Sequence, residues 1–233
     1  MINRVLDKLK RRVAENSRSK LLENHTFSII SNTCVGGVIT HNVGEQFRSP
    51  TVNLIIYEND FITFCLNLEA YSECPLEKPD EEETKDLTAI PYPVGVLRGG
   101  EKNLPDIRVY FVHYGTFEEA KEKWISRFKR VNYDDIFIIM DRGMEANEEI
   151  IEKFYSLPYK NKVMMTDKLD SSRWKNNFRF SFYTDDKFVP GCLYKHVNKG
   201  VRQYMWLDEF DYIEWLNTGN IQHSDLVIYP KED

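Results

Sequence analysis

Four short polar clusters hold the residue types that chemistry needs, and each closes an apolar run. They are Ser31-Asn32-Thr33-Cys34 after FSII, His113-Tyr114 after IRVYFV, Asp141-Arg142 after IFIIM, and Thr166-Asp167-Lys168 at the end of KVMMT. An imidazole titrates near neutral pH, so His113 is suited to general acid or base work; the plainer reading is a structural histidine bonded to a backbone carbonyl. Asp141 could orient that ring or bind a cation, and Arg142 could grip a carboxylate or phosphate. Cys34 lies in the turn NTCVGG, where a thiol near a helix N-terminus can ionise and become a nucleophile. Its plainer reading is packing, because cysteine is among the most buried residue types. Gly36 and Gly37 let the backbone approach a ligand, and the helix that follows offers N–H groups to an anion. The turn is neither a Walker A loop nor G-x-G-x-x-G, so no nucleotide is implied. The expected catalytic set is therefore His113, Cys34 and Asp141. Asn32, Gly36, Gly37, Arg142 and Asp167 are expected to bind substrate or an anion. No metal set is expected, since Cys34, Cys65, Cys74 and Cys192 lack metal-type spacing; all four are expected as free thiols.

Positioning these clusters together requires an α/β fold. The strands predicted are FSIIS (Phe27 to Ser31), VNLIIY (Val52 to Tyr57), a short one entered through Pro91 and Pro93, Ile107 to His113, Ile136 to Met140, and Lys162 to Thr166. Helices are predicted over Val38 to Phe47, from about Asp60 to Tyr71, from a Thr116/Glu119 capping box to Arg130, and from an Asn147 cap to Pro158. This alternation argues for a mostly parallel sheet covered by helices on both faces. Ligands of such sheets bind outside the carboxyl ends of the strands, where Asn32, Cys34, His113 and Asp141 are expected to converge. After about residue 170 the pattern changes: Phe178, Phe180 and Phe182 alternate with polar neighbours. A C-terminal extension follows, with an antiparallel or edge strand and a helix stopped near Gly219.

Of the 233 residues, 42 % are hydrophobic and 13 % aromatic, which excludes a disordered chain. No apolar run reaches the roughly 18 residues of a membrane span, and the N-terminus lacks a signal-peptide core. A cytoplasmic protein is expected. Its net charge of −6 speaks against general nucleic-acid binding. Residues 1–24 differ, with seven cations against three acids and with Val5, Leu6, Leu9 and Val13 at helical spacing. This basic amphipathic helix is expected to pack on the edge of a single α/β domain spanning 25–233. The sharper alternative is a weak foothold on anionic lipid or a pathway partner at the inner face of the membrane. The acidic run Glu77 to Asp86 is expected as a solvated loop.

SIISNTCVGGVITHNVGEQFRSPTVNLII, YPVGVL, VHYGTFEEAKEKWISRFKRVNYDDIFIIMDR and LPYKNKVMMTDK occur in this order over Phe27 to Phe182. Together they resemble a bacterial family of unknown function whose members are often labelled exopolysaccharide or capsular polysaccharide biosynthesis proteins. The family pattern S-N-N-C-W-G-G is matched at Asn32, Cys34, Gly36 and Gly37, while Thr33 and Val35 depart from it. The resemblance implies surface-glycan assembly and supplies no reaction. The function expected is a transferase that modifies a sugar hydroxyl of a glycan precursor. Acyl transfer is favoured, with acyl-coenzyme A as the donor by analogy with polysaccharide acyltransferase-like proteins. The alternative is a non-catalytic glycan-binding or assembly protein, for which Tyr92, Tyr110, Tyr114, Trp174 and Tyr183 would offer stacking surfaces.

Overall fold

The computed structural model describes residues 2–85, 87, 90–143, 147–166, 174–181 and 192–225. In chain order the elements are α1 (Ile2–Ser19), β1 (Ser28–Ser31), α2 (Val35–Asn42), α3 (Glu58–Leu66), α4 (Leu68–Tyr71), β2 (Leu76–Glu77), β3 (Val94–Leu97) and β4 (Ile107–Tyr110). They continue with α5 (Phe117–Phe128), β5 (Ile136–Gly143), α6 (Glu148–Tyr155), β6 (Asn161–Thr166), β7 (Asn177–Phe178), β8 (His196–Lys199), β9 (Arg202–Met205) and α7 (Tyr212–Thr218).

The central sheet has the order β1-β5-β6-β7 and is parallel throughout. Its strands are apolar on both faces, as a sheet sandwiched between helices requires. Along β5, Ile136, Ile138 and Met140 join one core with Phe61, Phe64, Trp124 and Phe154 from α3, α5 and α6. Phe137 and Ile139 point the other way, into a second core with Val35 and Ile39 of α2 and Trp215 of α7. The C-terminal extension supplies the edge strand β7, the antiparallel pair β8–β9 and helix α7. Gly219, at φ 84°, ends α7 in the left-handed conformation that glycine tolerates.

Two predicted strands differ from expectation. The run ending at His113 stops at Tyr110 and stands outside the parallel sheet, pairing antiparallel with β3, which pairs in turn with β2. The connection from β3 to β4 carries no crossover helix of the kind parallel neighbours need, so the pair closes as a hairpin. Arg98 holds that connection: its guanidinium reaches Glu83 at 2.7 and 2.8 Å and Asp106 at 2.7 Å. The acidic run is therefore partly anchored, and Arg98 lowers the Glu83 carboxyl to about 2. The apolar run Val52 to Tyr57 forms no extended strand, because Asn53 takes φ 62° and breaks it. It is a splice instead. Ile56 N donates to Asn32 O at 2.9 Å, and Ile55 exchanges two backbone hydrogen bonds with Tyr110. This segment joins the end of β1 to the antiparallel strands.

Candidate functional site

The site is built where β1 and β5 end side by side. Beyond Ser31, paired with Ile139, the backbone ladder passes to a side chain. Asn32, only 2 % exposed, accepts from Asp141 N at 2.7 Å through Oδ1 and donates to Asp141 O at 3.0 Å through Nδ2. An amide presents the same donor and acceptor as a peptide group, so Asn32 stands in for one more residue of the sheet. The register between β5 and β6 shifts immediately afterwards, between Asp141 and Gly143. Such irregularities re-aim side chains at strand ends. Asp141 follows Phe137 and Ile139 on the α2 face, and its carboxylate accepts from the Thr33 hydroxyl at 3.3 Å. Burial raises this carboxyl from 3.8 to about 6, against the Thr33 hydrogen bond, which lowers it.

Cys34 is the N-cap of α2 but makes no side-chain capping bond. Burial, reinforced by the charge of Asp141, pushes its thiol up to about 11, so it is protonated at neutral pH. Gly36 and Gly37 sit inside the first turn of the helix rather than in an open loop. A Cβ on Gly36 would meet Ser31 Oγ at 2.7 Å and Ile29 Cγ2 at 2.8 Å, and one on Gly37 would meet Val52 Cγ1 at 3.0 Å. The glycines thus let α2 lie close against β1 and the 51–56 segment. Gly36 N is already bonded to Ser31 Oγ, and Val35 N makes a long contact with Thr33 Oγ1.

The wall beside Cys34 comes from the antiparallel side. Tyr114 donates its hydroxyl to Val52 O at 2.8 Å and accepts from Arg127 of α5. Burial raises the Tyr114 hydroxyl, and Cys34 is near enough to add to that shift. The Arg127 guanidinium also lies over the Phe47 ring, 5.0 Å from its centroid, in cation–π geometry. Asn32, Thr33, Cys34 and Asp141 therefore form one group, flanked through Cys34 by Tyr114, Arg127 and Phe47.

The other expected residues divide. His113 lies in the turn after β4 with its ring exposed, and among the described residues it has no hydrogen-bond partner. Its neighbour Tyr114 turns inward instead. Asp167 and the side chain of Arg142 lie outside the described residues. Arg127 and Phe47 carried no signal in the sequence: one closes a surface helix, the other sits in a loop, and their meeting depends on the 51–56 splice. Of the aromatics considered for stacking, Tyr110 is buried in the core, and Trp174 is stacked on Tyr155 at 4.7 Å. Tyr183 is outside the described residues. Cys65 and Cys74 are buried free thiols, as Cys34 is. Among the described residues, no group of three or more His, Cys, Asp or Glu is placed to hold a metal ion. A separate cavity of about 370 Å³ opens on the antiparallel side, lined by Tyr57, Asp60, Asp106, Arg108 and Tyr110. It draws on none of the four clusters.

The model of a domain of unknown function, DUF1919, matches residues 5–217. The chain belongs to the DUF1919 family. A DUF1919 match this long takes in all three sheets of the described residues, the Asn32–Asp141 junction, Arg127 and most of α1. An uncharacterized protein of Haemophilus influenzae is 31 % identical over 216 residues, covering 93 % of this chain and 96 % of its own length. The similarity thus extends over most of the chain, well beyond the parallel sheet alone.

Proposed function

We propose that this protein transfers a group to a hydroxyl of a surface-glycan precursor, with Asp141 as the base that takes the hydroxyl proton. The observation that carries this reading is the Asp141 carboxyl itself, raised to about 6 by burial at the carboxyl end of a central strand. A base poised just below neutral pH is ionised when needed and still basic enough to accept a proton. Perturbed carboxyls at strand ends of open sheets are where acid–base chemistry is expected. Acyl transfer remains the favoured reaction, by direct attack of the sugar hydroxyl on an acyl thioester such as acyl-coenzyme A. Cys34, protonated at neutral pH, lines the site and forms no acyl-enzyme. Arg127 keeps guanidinium N–H groups beyond the one given to Tyr114, and these suit an anionic donor or developing oxyanion. His113 is assigned to the rim. The glycan context rests on the family resemblance at Asn32, Cys34, Gly36 and Gly37.

The test is to incubate the protein with acetyl-coenzyme A and bacterial surface oligosaccharides, following acetylated product by mass spectrometry. Activity should rise through about pH 6. Asp141→Asn should cost about 10²–10⁴ in rate, while Cys34→Ser and His113→Ala stay active. A covalent acyl adduct on Cys34, or loss of turnover in His113→Ala with Asp141→Asn active, would refute the assignment. Oligosaccharide binding without turnover, unchanged in Asp141→Asn, would favour the binding-protein alternative.

A further inference from the structure

An amphipathic helix on the edge of a domain ordinarily turns its apolar stripe inward. Helix α1 does the reverse. Ile2, Val5, Leu6, Leu9 and Val13 are 77, 57, 49, 54 and 43 % exposed. At 3.6 residues per turn they fall within one arc of about 100°. The opposite face meets the domain: Ala14 and Arg18 are buried, and Asp7, Arg11 and Glu15 are half-buried. Arg18 pairs with buried Asp208 and lies against the rings of Tyr204 and Tyr212, at 5.4 and 5.7 Å. Asp7, Arg11 and Glu15 are all near enough to His196 of β8 to act on its titration. The polar side is thus fixed to the β8–β9 pair and to the turn leading into α7, and the apolar stripe is held outward.

The charges sort in the same way. Exposed Arg12 borders the stripe on one side with exposed Lys8 beyond it, and half-buried Lys10 lies on the other side, while the helix's acids, Asp7 and Glu15, turn toward the domain. We propose that α1 is a docking face for an anionic phospholipid bilayer, lying in the interface plane with its apolar stripe among the acyl chains and its cations at the headgroups. No helix among the described residues is long and apolar enough to cross a membrane, so the contact is peripheral. A second copy fits the face less well. Two paired stripes would bring Lys8 and Arg12 of both chains close together, and five apolar side chains fall short of the roughly 20–30 residues a side of a stable interface. The proposal stands independently of the reaction assigned to Asp141.

The experiment is flotation of the full-length protein with vesicles of phosphatidylcholine alone, or of phosphatidylcholine with about one-third phosphatidylglycerol. Binding is expected only to the anionic vesicles, weakening at least tenfold at high salt. Leu6→Glu/Leu9→Glu should lower the partition at least tenfold with an unchanged unfolding midpoint, since both side chains face solvent. Lys8→Gln/Arg12→Gln should cost about fivefold per cation removed. Equal binding to both vesicle types, no binding at low salt, or indifference to Leu6→Glu/Leu9→Glu would overturn the proposal. So would a dimer in sedimentation that depends on Leu9 and excludes vesicles, which would assign the stripe to a second copy.

Discussion

Replacing Asp141 by asparagine should make the protein more stable at neutral pH while disabling it. Asparagine has the shape of a protonated aspartic acid and can still accept the Thr33 hydrogen bond, so the variant isolates the charge. In the fold the carboxyl keeps its proton up to about pH 6, against 3.8 ordinarily. Between these values the folded state binds more protons than the unfolded chain, so stability falls as pH rises, then levels off above the folded value. The full cost of ionising Asp141 in place is on the order of 3 kcal/mol. The asparagine variant never incurs it. Urea unfolding of both proteins at steps from pH 4 to pH 8 gives the test, because every other titrating group cancels in the difference. Asp141→Asn should gain on the wild type steadily through pH 4–6 and hold a lead of about 2–3 kcal/mol at pH 7 and 8. A difference that is flat across this range, or that favours the wild type as pH rises, would show that the carboxyl is not desolvated. It would also remove the argument for Asp141 as a base.

Asn32→Ala strips Asp141 of both bonds that continue the ladder, and urea unfolding should show a loss of about 2–4 kcal/mol. Asn32→Asp removes the donor and places a second carboxylate at the junction, so its loss should deepen as pH rises above 5. Gly36→Ala drives a methyl into Ser31 Oγ and Ile29 Cγ2, and its thermal midpoint should drop by the equivalent of about 1–3 kcal/mol. Arg18→Met leaves the Asp208 carboxylate buried without its cation and should cost about 3–5 kcal/mol, most of it recovered by adding Asp208→Asn.

The parts of this fold that sequence reveals are those governed by nearby residues. The β5 run IFIIM is apolar at every position because both faces are covered, and it is a central strand. Thr116 and Asn147 stand where helix caps are expected, and their side chains accept from Glu119 N and Ile150 N. The Asn32–Asp141 junction was legible in outline, since parallel neighbours end on the same rim. What stayed hidden depends on partners far along the chain. VNLIIY has the composition of a strand, yet Asn53 breaks it, and Ile55 and Ile56 turn to two different partners, Tyr110 of β4 and Asn32 just past β1. That splice places Tyr114 rather than His113 toward Cys34, and no local pattern distinguishes the two.

Helix α1 shows the same limit from the other side. Its periodicity is plain from Val5 to Val13, but periodicity says only that two faces differ, not which one meets the protein. The decision falls to Asp208, 190 positions after Arg18 and itself 3 % exposed. Asp208 also accepts from Tyr212 Oη at 2.8 Å and from Met205 N at 2.6 Å, so its carboxylate is committed to this corner before the cation is counted. A buried carboxylate held there needs a positive partner, and leaving it unpaired costs more than exposing a few aliphatic side chains on a helix. Arg18 therefore sets the rotation of α1, and the outward apolar stripe is a consequence of the charge pairing beneath it.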